Sequence, residues 1–269
     1  MKVITAISDQ EHLGFRLLKL SCNFKRLELI ALVSREKEFK TNWQKDSLLN
    51  NYIAGLTDPE EIILFTDGND AVFMADEEEI LTKFDRLRKD LVFSTETSCW
   101  PDPGLAACYP DGDATPYRFL NSGGFIGKVG LIRELLADHS FDTPKFGRSN
   151  QYLWARKYLQ YPEKIGLDSS CQLFHTFSPE VGLDYAPAAT ETQDYEHPLY
   201  QPYCRFMKKW FRDNFQIRKD RIFSKITGTW PCQAHFNGAA KVLMDNEIID
   251  MVLAMSAEYK PTCFVYETE

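Results

Sequence analysis

"LFTDGNDAVF" (residues 64–73) ends an apolar run and continues into two aspartates, Asp67 and Asp70, with Gly68 and Asn69 between them. The run at 61–66 has the pattern of a buried strand. Acidic residues are common at turns because they hydrogen-bond the nearby backbone, so this stretch can be an ordinary solvated turn. Two carboxylates three residues apart at a strand end can also converge on one hard cation, Mg²⁺ or Mn²⁺. The stretch alone leaves both interpretations open.

Strand-like and helix-like patterns alternate on both sides of this stretch. Short apolar runs, typical of strands, occupy residues 2–7, 27–33, 61–66 and 91–94. Apolar residues at helical spacing lie between them, at 13–20, 42–56 and 77–87. This alternation predicts an α/β fold with a mostly parallel sheet flanked by helices. Ligands bind beyond the carboxyl ends of such strands, where Asp67 and Asp70 are expected.

The remainder of the chain has weaker patterns and no internal repeat. Residues 99–116 are rich in Pro, Gly and Asp and predict a loop over a site, and "NSGGFIGKV" (121–129) predicts a turn entering a strand. Later segments predict a helix at 151–159, strands at 164–173 and 233–236, and an amphipathic helix at 239–255. No linker separates these segments, so residues 1–269 are expected to form one domain.

His235 lies in "QAHFNGAAK" (233–241), again at an expected strand end. A lone histidine is more often a hydrogen-bonded structural residue than a metal ligand. Asn237 and Gly238 follow it, however, and a helix starting there would offer backbone N–H groups and a positive dipole end to an anion. Lys241 would add a point charge one turn later. One imidazole with two carboxylates suits Mn²⁺ better than Ca²⁺.

Three further features each have a structural and a functional interpretation. The segment "NSGG" (Asn121, Ser122, Gly123 and Gly124) allows close backbone approach to a ligand, or is a plain tight turn. Trp100 in "CWPD" is either a buried anchor or part of a lid over a sugar. Lys45 either reaches a phosphate or is an exposed helical lysine.

Composition limits the class of protein. Hydrophobic residues make up 44% and charged residues 26%, which is typical of a globular chain. The net charge of −8 argues against a nucleic-acid-binding surface, although a local phosphate pocket is compatible with it. There is no apolar run of roughly 20 residues that would span a bilayer, and no signal-peptide pattern. Seven scattered cysteines without a CxxC pair predict reduced thiols, and we expect a cytoplasmic protein.

Seven segments, taken in order, resemble the glycosyltransferase domain of the procollagen-lysine dioxygenases, the multifunctional lysyl hydroxylases. They are "ITAIS" with "GFRLLKLS", "QKDSLLNNYI", "ILFTDGNDAVF", "CWPD", "RFLNSGGFIGKV", "LDSSCQLF" and "HFNGAAK". The resemblance runs from about residue 3 to residue 241, and residues 192–231 fit it poorly. Seven collinear segments are more specific than any one of them.

The resemblance implies a GT-A fold, a UDP-sugar donor and a bound Mn²⁺, with Mg²⁺ as the alternative. The implied metal ligands are Asp67, Asp70 and His235. Thr5 and Ser8 would line the nucleoside pocket, and Asn69 stands where many relatives carry a tyrosine that could stack on uracil. The full expected donor-binding set is Thr5, Ser8, Lys45, Asn69, Asn121, Ser122, Gly123, Gly124, Asn237, Gly238 and Lys241.

The sugar-transfer end of the site, expected at Trp100 and Asn150, departs from the resembled family. Relatives carry a run of aspartates before a "QLF" helix, whereas this chain has Ser149 and Asn150. An amide cannot accept a proton as a carboxylate can, which argues against a general-base role for Asn150. Its carbonyl oxygen can still orient a sugar hydroxyl or stabilise oxocarbenium-like charge.

Three hypotheses follow. The first is a stand-alone, Mn²⁺-dependent transferase that moves glucose or galactose from UDP to a hydroxyl of a hydroxylysine-type or glycan acceptor. The second is an inactive or weakly active protein that binds UDP and metal. The third is a haloacid-dehalogenase-type phosphatase. That chemistry requires an Asp-x-Asp pair at a strand end, whereas Asp70 lies one residue too far from Asp67.

The basic, aromatic segment at 205–225 allows two interpretations of its own. It holds eight Lys or Arg residues against two Asp residues. It is either a solvated helix packed on the domain, or a surface that contacts anionic lipid or an acidic acceptor.

Overall fold

The computed structural model describes residues 1–34, 39–111, 115–179, 201–244, 248–256 and 264–267. Its strands are β1 (Lys2–Ile7), β2 (Glu28–Val33), β3 (Ile62–Asp67), β4 (Ala71–Phe73), β5 (Leu91–Glu96), β6 (Phe119–Lys128), β7 (Ile165–Leu167), β8 (Phe174–Thr176), β9 (Phe215–Arg218), β10 (Arg221–Ser224), β11 (Gln233–His235) and β12 (Phe264–Glu267). Its α-helices are α1 (Leu13–Phe24), α2 (Trp43–Ala54), α3 (Glu77–Leu87), α4 (Val129–Ala137), α5 (Asn150–Gln160), α6 (Gln201–Asn214) and α7 (Ile249–Ser256).

Seven strands form the main sheet in the order β12-β2-β1-β3-β6-β5-β7. β6 runs antiparallel to both of its neighbours, while the other neighbouring pairs are parallel. Alternate residues of β1 enter different apolar clusters: Ile4 packs with α2, α4 and α5, and Val3 packs with α1 and α3. Helices therefore cover both faces, and the predicted α/β, GT-A-like fold with a mostly parallel sheet is confirmed.

The polarity of the main sheet collects several strand ends at one edge. β1 and β3 end there at Ile7 and Asp67, and β5 ends there at Glu96. Because β6 runs the other way, its first half reaches the same edge, with Gly124 opposite Thr66.

A second sheet, β4-β11-β8, joins that edge to the late part of the chain. In its register His235 lies opposite Ala71 of β4 and Thr176 of β8. β4 begins immediately after Asp70. The pairing of β4 with β11 thus brings His235 to the aspartate turn across 165 residues of sequence.

Three local predictions differ from the structure. "NSGG" is not a turn but lies inside the ten-residue strand β6. The expected strand at 164–173 is only β7, because Asp168 then accepts the backbone N–H groups of residues 172–174 and folds the chain into a turn. The expected helix at 239–255 is a 3₁₀ turn, Gly238–Leu243, followed by the separate helix α7. β4 was not predicted, since three residues carry too little pattern.

The basic segment forms α6 and the β9–β10 hairpin. α6 buries Cys204, Met207 and Phe211 against an apolar cluster that also contains Phe236, which agrees with the prediction of a helix packed on the domain. Residues 192–200 of the divergent segment lie outside the described residues. The six described cysteines are free thiols, and Cys263 is outside the described residues.

Candidate active site and metal centre

The turn that carries the two aspartates is held by close backbone packing. A Cβ atom on Gly14 of α1 would lie 1.7 Å from the carbonyl oxygen of Asn69, so only glycine permits this approach of helix to turn. On the other side, a Cβ atom on Gly68 would lie 2.3 Å from Ile7 Cγ2 and 2.8 Å from Thr5 Oγ1. The turn is therefore fixed between α1 and the end of β1.

Asp67, Asp70 and His235 converge at this turn. Each offers one ligand atom, and these atoms lie within 4.8 Å of one another. His235 Nε2 is 3.4 Å from Asp70 Oδ1 and 3.6 Å from Asp67 Oδ2. Both ring nitrogens of His235 are buried and make no regular hydrogen bond to the described residues. Buried polar atoms are rarely left unbonded, and two carboxylates with an imidazole fit a divalent cation.

Two lysines expected at the phosphate region border the same cluster. Lys45 Nζ lies 2.6 Å from Asp67 Oδ1, and Lys241 Nζ lies 3.3 Å from Asp70 Oδ2. Burial lowers the pKa of Lys45, but the charge of Asp67 outweighs it and the pKa is raised. Both lysines compensate the carboxylates here, and both are within reach of an anion bound at the cluster.

The cluster is also coupled electrostatically within itself. Burial raises the pKa of Asp70, but the positive charges of His235 and Lys241 outweigh it and the pKa falls below its ordinary value. Burial lowers the pKa of His235, and the charges of Asp70 and Asp67 raise it overall. Asp70 thus has neighbours that favour the ionised state in which a carboxylate binds metal.

The glycines of "NSGG" pack against this cluster rather than forming a turn. The register between β5 and β6 shifts between Phe93 and Ser94, so residues 122–124 have no partner in β5, while Gly124 still pairs with Thr66 of β3. A Cβ atom on Gly123 would lie 2.2 Å from His235 Cε1. A Cβ atom on Gly124 would lie 2.9 Å from Gln233 Oε1. The Asn121 side chain accepts the backbone N–H of Gly123 at 2.9 Å within this stretch.

Glu96, which the sequence interpretation missed, is a further buried carboxylate at this edge. Gln151 Nε2 donates to Glu96 Oε1, and Asn237 Nδ2 donates to Glu96 Oε2 at 3.2 Å. Burial raises the pKa of Glu96 to about 7, although these hydrogen bonds favour the ionised form. The carboxyl group can therefore exist in either protonation state at neutral pH. Its position at the end of β5, on the edge that carries Asp67, was the signal that could have identified it.

Trp100 and Asn150 lie on the far side of Glu96. The Trp100 side chain is 61% exposed, so the buried-anchor alternative is wrong. Its backbone carbonyl accepts a hydrogen bond of 3.1 Å from Gln151 Nε2. Asn150 is buried, and its Oδ1 accepts the Ser122 hydroxyl at 3.3 Å. Trp100 and Ser149 also line a surface groove of about 420 Å³.

The remaining expected donor-binding residues differ in burial and in their hydrogen-bond partners. Thr5 is fully buried, and its Oγ1 has no hydrogen-bond partner among the described residues. Ser8 follows the end of β1 and is partly exposed, as is Asn69 in the turn. Gly238 begins a 3₁₀ turn of six residues, rather than lying just before the long helix predicted at 239–255. The side chain of Asn237 donates a hydrogen bond to Glu96 Oε2.

Similarity to known proteins is consistent with this geometry. A family profile described as "PLOD GT domain" matches residues 2–200. The uncharacterized protein R699 of Acanthamoeba polyphaga mimivirus is 30% identical over 188 residues, which are 69% of this chain and 33% of R699. The human multifunctional procollagen lysine hydroxylase and glycosyltransferase LH3 is 36% identical over 128 residues, 46% of this chain and 17% of LH3. The chain therefore spans a third or less of these relatives.

A solved structure is also similar in shape. The glycosyltransferase GlyE of Streptococcus pneumoniae TIGR4 superposes with a TM-score of 0.47 at 11% identity, over 96% of this chain and 61% of GlyE. The profile match ends before β11, so the assignment of His235, Asn237, Gly238 and Lys241 to the site depends on the distances above. Among the described helices, none is long and apolar enough to cross a membrane.

Proposed function

The chain belongs to the PLOD GT domain family, and from that premise we propose that it is a metal-dependent glycosyltransferase that moves glucose or galactose from a UDP-sugar to an acceptor hydroxyl. The observation that carries the proposal is the convergence of Asp67, Asp70 and His235, with both imidazole nitrogens buried and unbonded among the described residues. The acceptor hydroxyl belongs to a hydroxylysine-type or glycan acceptor.

The donor set supports Mn²⁺ as the metal, with Mg²⁺ as the alternative. Two carboxylate oxygens satisfy either ion, while the imidazole nitrogen favours the softer Mn²⁺. When bound, such a cation would act as a Lewis acid that neutralises the charge of the leaving group. Asp67, Asp70 and His235 would hold it.

The chain's own residues divide the remaining tasks. Lys45 and Lys241 already border the cluster and would neutralise part of the diphosphate charge. Gly123 and Gly124 would serve the donor site by letting β6 approach His235 and Gln233 closely. Thr5, Ser8 and Asn69 would contact the nucleoside, and Asn121, Ser122, Asn237 and Gly238 complete the wall of the donor site.

Two buried polar side chains, those of Glu96 and Asn150, are available at the expected sugar end of the site. Glu96 can hold or release a proton near neutral pH, because its pKa is about 7. Asn150 contributes a carbonyl oxygen beside the Ser122 hydroxyl. Exposed Trp100 would cover the sugar from the side of the groove.

A screen of UDP-sugars for UDP release tests the function directly. We expect UDP-glucose or UDP-galactose to release UDP with Mn²⁺ present, and chelation of the metal to reduce this release to background. If none of the UDP-sugars released UDP in a metal-dependent manner, the result would contradict transferase activity.

An inactive UDP-binding protein is the second candidate, and Ser149 and Asn150 are the observation that favours it. Calorimetry separates the two functions. Tight UDP binding that requires Mn²⁺, without sugar release from any donor, would select the binding protein.

The exposed face of α6 provides a second contact, which we propose is with an anionic membrane surface. Four basic residues are exposed at i, i+3, i+4 and i+7: Arg205, Lys208, Lys209 and Arg212. Among the described residues only Lys209 of these four forms a salt bridge, with Asp213, whose charge Arg212 also stabilises. We expect binding to phosphatidylserine vesicles that high salt and the Lys208→Glu/Arg212→Glu variant abolish. The control, Arg86→Glu/Arg88→Glu, should bind as the native chain does. Equal binding by both variants would refute the contact.

A further inference from the structure

A second buried carboxylate, Asp46 of α2, lies behind Asn150 and was not expected from the sequence. Asp46 is 5% exposed and Asn150 is 4% exposed. Asn150 Nδ2 donates to Asp46 Oδ1 at 3.3 Å, and Trp154 Nε1 donates to Asp46 Oδ2 at 3.1 Å. Each carboxylate oxygen therefore accepts one hydrogen bond from α5.

The carboxylate determines which way the Asn150 side chain points. An asparagine carboxamide can face either way, and the Ser122 hydroxyl on its other side can donate or accept. An ionised carboxylate only accepts, so the amino group of Asn150 must face Asp46. The carbonyl oxygen then faces the Ser122 hydroxyl of β6, next to Gly123 and His235.

Asp46 is ionised above mildly acidic pH. Burial raises its pKa to about 6, while the hydrogen bonds from Asn150 and Trp154 favour the charged form. An aspartate at position 150 would place a second buried carboxylate about as close as the 3.3 Å contact now seen, and two such groups cannot both ionise at low cost. The pair at positions 46 and 150 therefore accommodates one carboxylate and one amide.

We propose that Asp46 is a positioning residue that holds the Asn150 carboxamide with its oxygen toward Ser122 and the sugar end of the donor site. The proposal rests on the proposed function for its effect on turnover. It also states that the carboxylate and the amide of the pair can be exchanged, because either arrangement presents an oxygen to Ser122.

Asp46→Asn tests the orientation with little change in packing. Trp154 can only donate, so the new amide must keep its oxygen there and turn its amino group toward Asn150. Asn150 then flips and presents its own amino group to Ser122, with every hydrogen bond kept. We expect the melting temperature to stay close to native while kcat for UDP-sugar hydrolysis falls roughly 10- to 100-fold and KM changes little.

A double variant that exchanges the two residue types between positions 46 and 150 tests whether stability and turnover are rescued. Asn150→Asp alone should lower the melting temperature by roughly 5–10 °C, because two carboxylates then face each other. Asp46→Asn/Asn150→Asp should regain stability and most of kcat, since the carboxylate introduced at position 150 accepts from both Ser122 and the amide introduced at position 46. Asp85→Asn, an exposed change on α3, is the control and should leave both readouts native.

Two outcomes overturn the proposal: native kcat in Asp46→Asn, or losses in the double variant that equal the sum of the single losses. If the native chain releases no UDP from any donor, the proposed function fails. The melting temperatures of the two single variants and the double variant then still decide whether Asp46 orients Asn150, because this energetic coupling between the two residues does not depend on turnover.

Discussion

Asp70→Ala is expected to lower metal-dependent UDP release by roughly 10³-fold, about 4 kcal/mol of transition-state stabilisation. The Asp70 side chain is 9% exposed and faces both Nε2 of His235 and Nζ of Lys241. Its removal deletes one of the three candidate ligand atoms and leaves Lys241 Nζ without the carboxylate it faces. We therefore expect metal binding, measured by calorimetry, to be lost together with turnover.

Asp85→Ala is the matched control for this variant. Asp85 is an exposed aspartate of α3, and the same substitution there removes a carboxylate without touching the cluster. It should keep native metal affinity and native turnover. If Asp70→Ala retained more than about a tenth of native turnover, the metal would have to bind elsewhere.

The local part of the fold could be predicted because it depends on local patterns. β1 and α3 have the boundaries expected from their apolar periodicity. The position of Asp67 at a strand end follows in the same way. From these elements alone, the parallel sheet and its ligand-binding edge could be expected.

Features that depend on distant packing could not be predicted in this way. Gly123 and Gly124 suggested a turn because glycine commonly occurs in turns. Their role in β6 depends on His235 and Gln233, more than 100 residues later. β4 is too short to show a period and exists because β11 pairs with it.

Both missed carboxylates left a signal in the sequence. Asp46 shares a helix face with Leu49 and Ile53, which are fully buried, so an acidic residue at that position had to be buried with them. Glu96 is the last residue of β5, a strand in which every residue is buried. Neither pattern reveals the partner, because Asn150 and Asn237 reach these carboxylates only through the tertiary fold.

Gly123→Ala is expected to weaken metal binding and turnover by roughly 100-fold without changing any ligand. The new methyl group would lie 2.2 Å from His235 Cε1 and 2.9 Å from each ring nitrogen. His235 is 1% exposed, so the ring has no free space and must move away from the two aspartates. Overpacking of this kind should also cost about 1–3 kcal/mol of stability.

A double variant distinguishes displacement of the His235 ring from damage to strand β6. The three nearest atoms to the added methyl group all belong to the His235 ring, so in a His235→Ala background Gly123→Ala should cost almost no further stability. Gly55→Ala is the control glycine change, since its nearest atom is 3.6 Å away, an ordinary contact. Native Mn²⁺ affinity in Gly123→Ala would mean that His235 is not a ligand. A full stability loss in both backgrounds would mean that the glycine serves β6 rather than the metal centre.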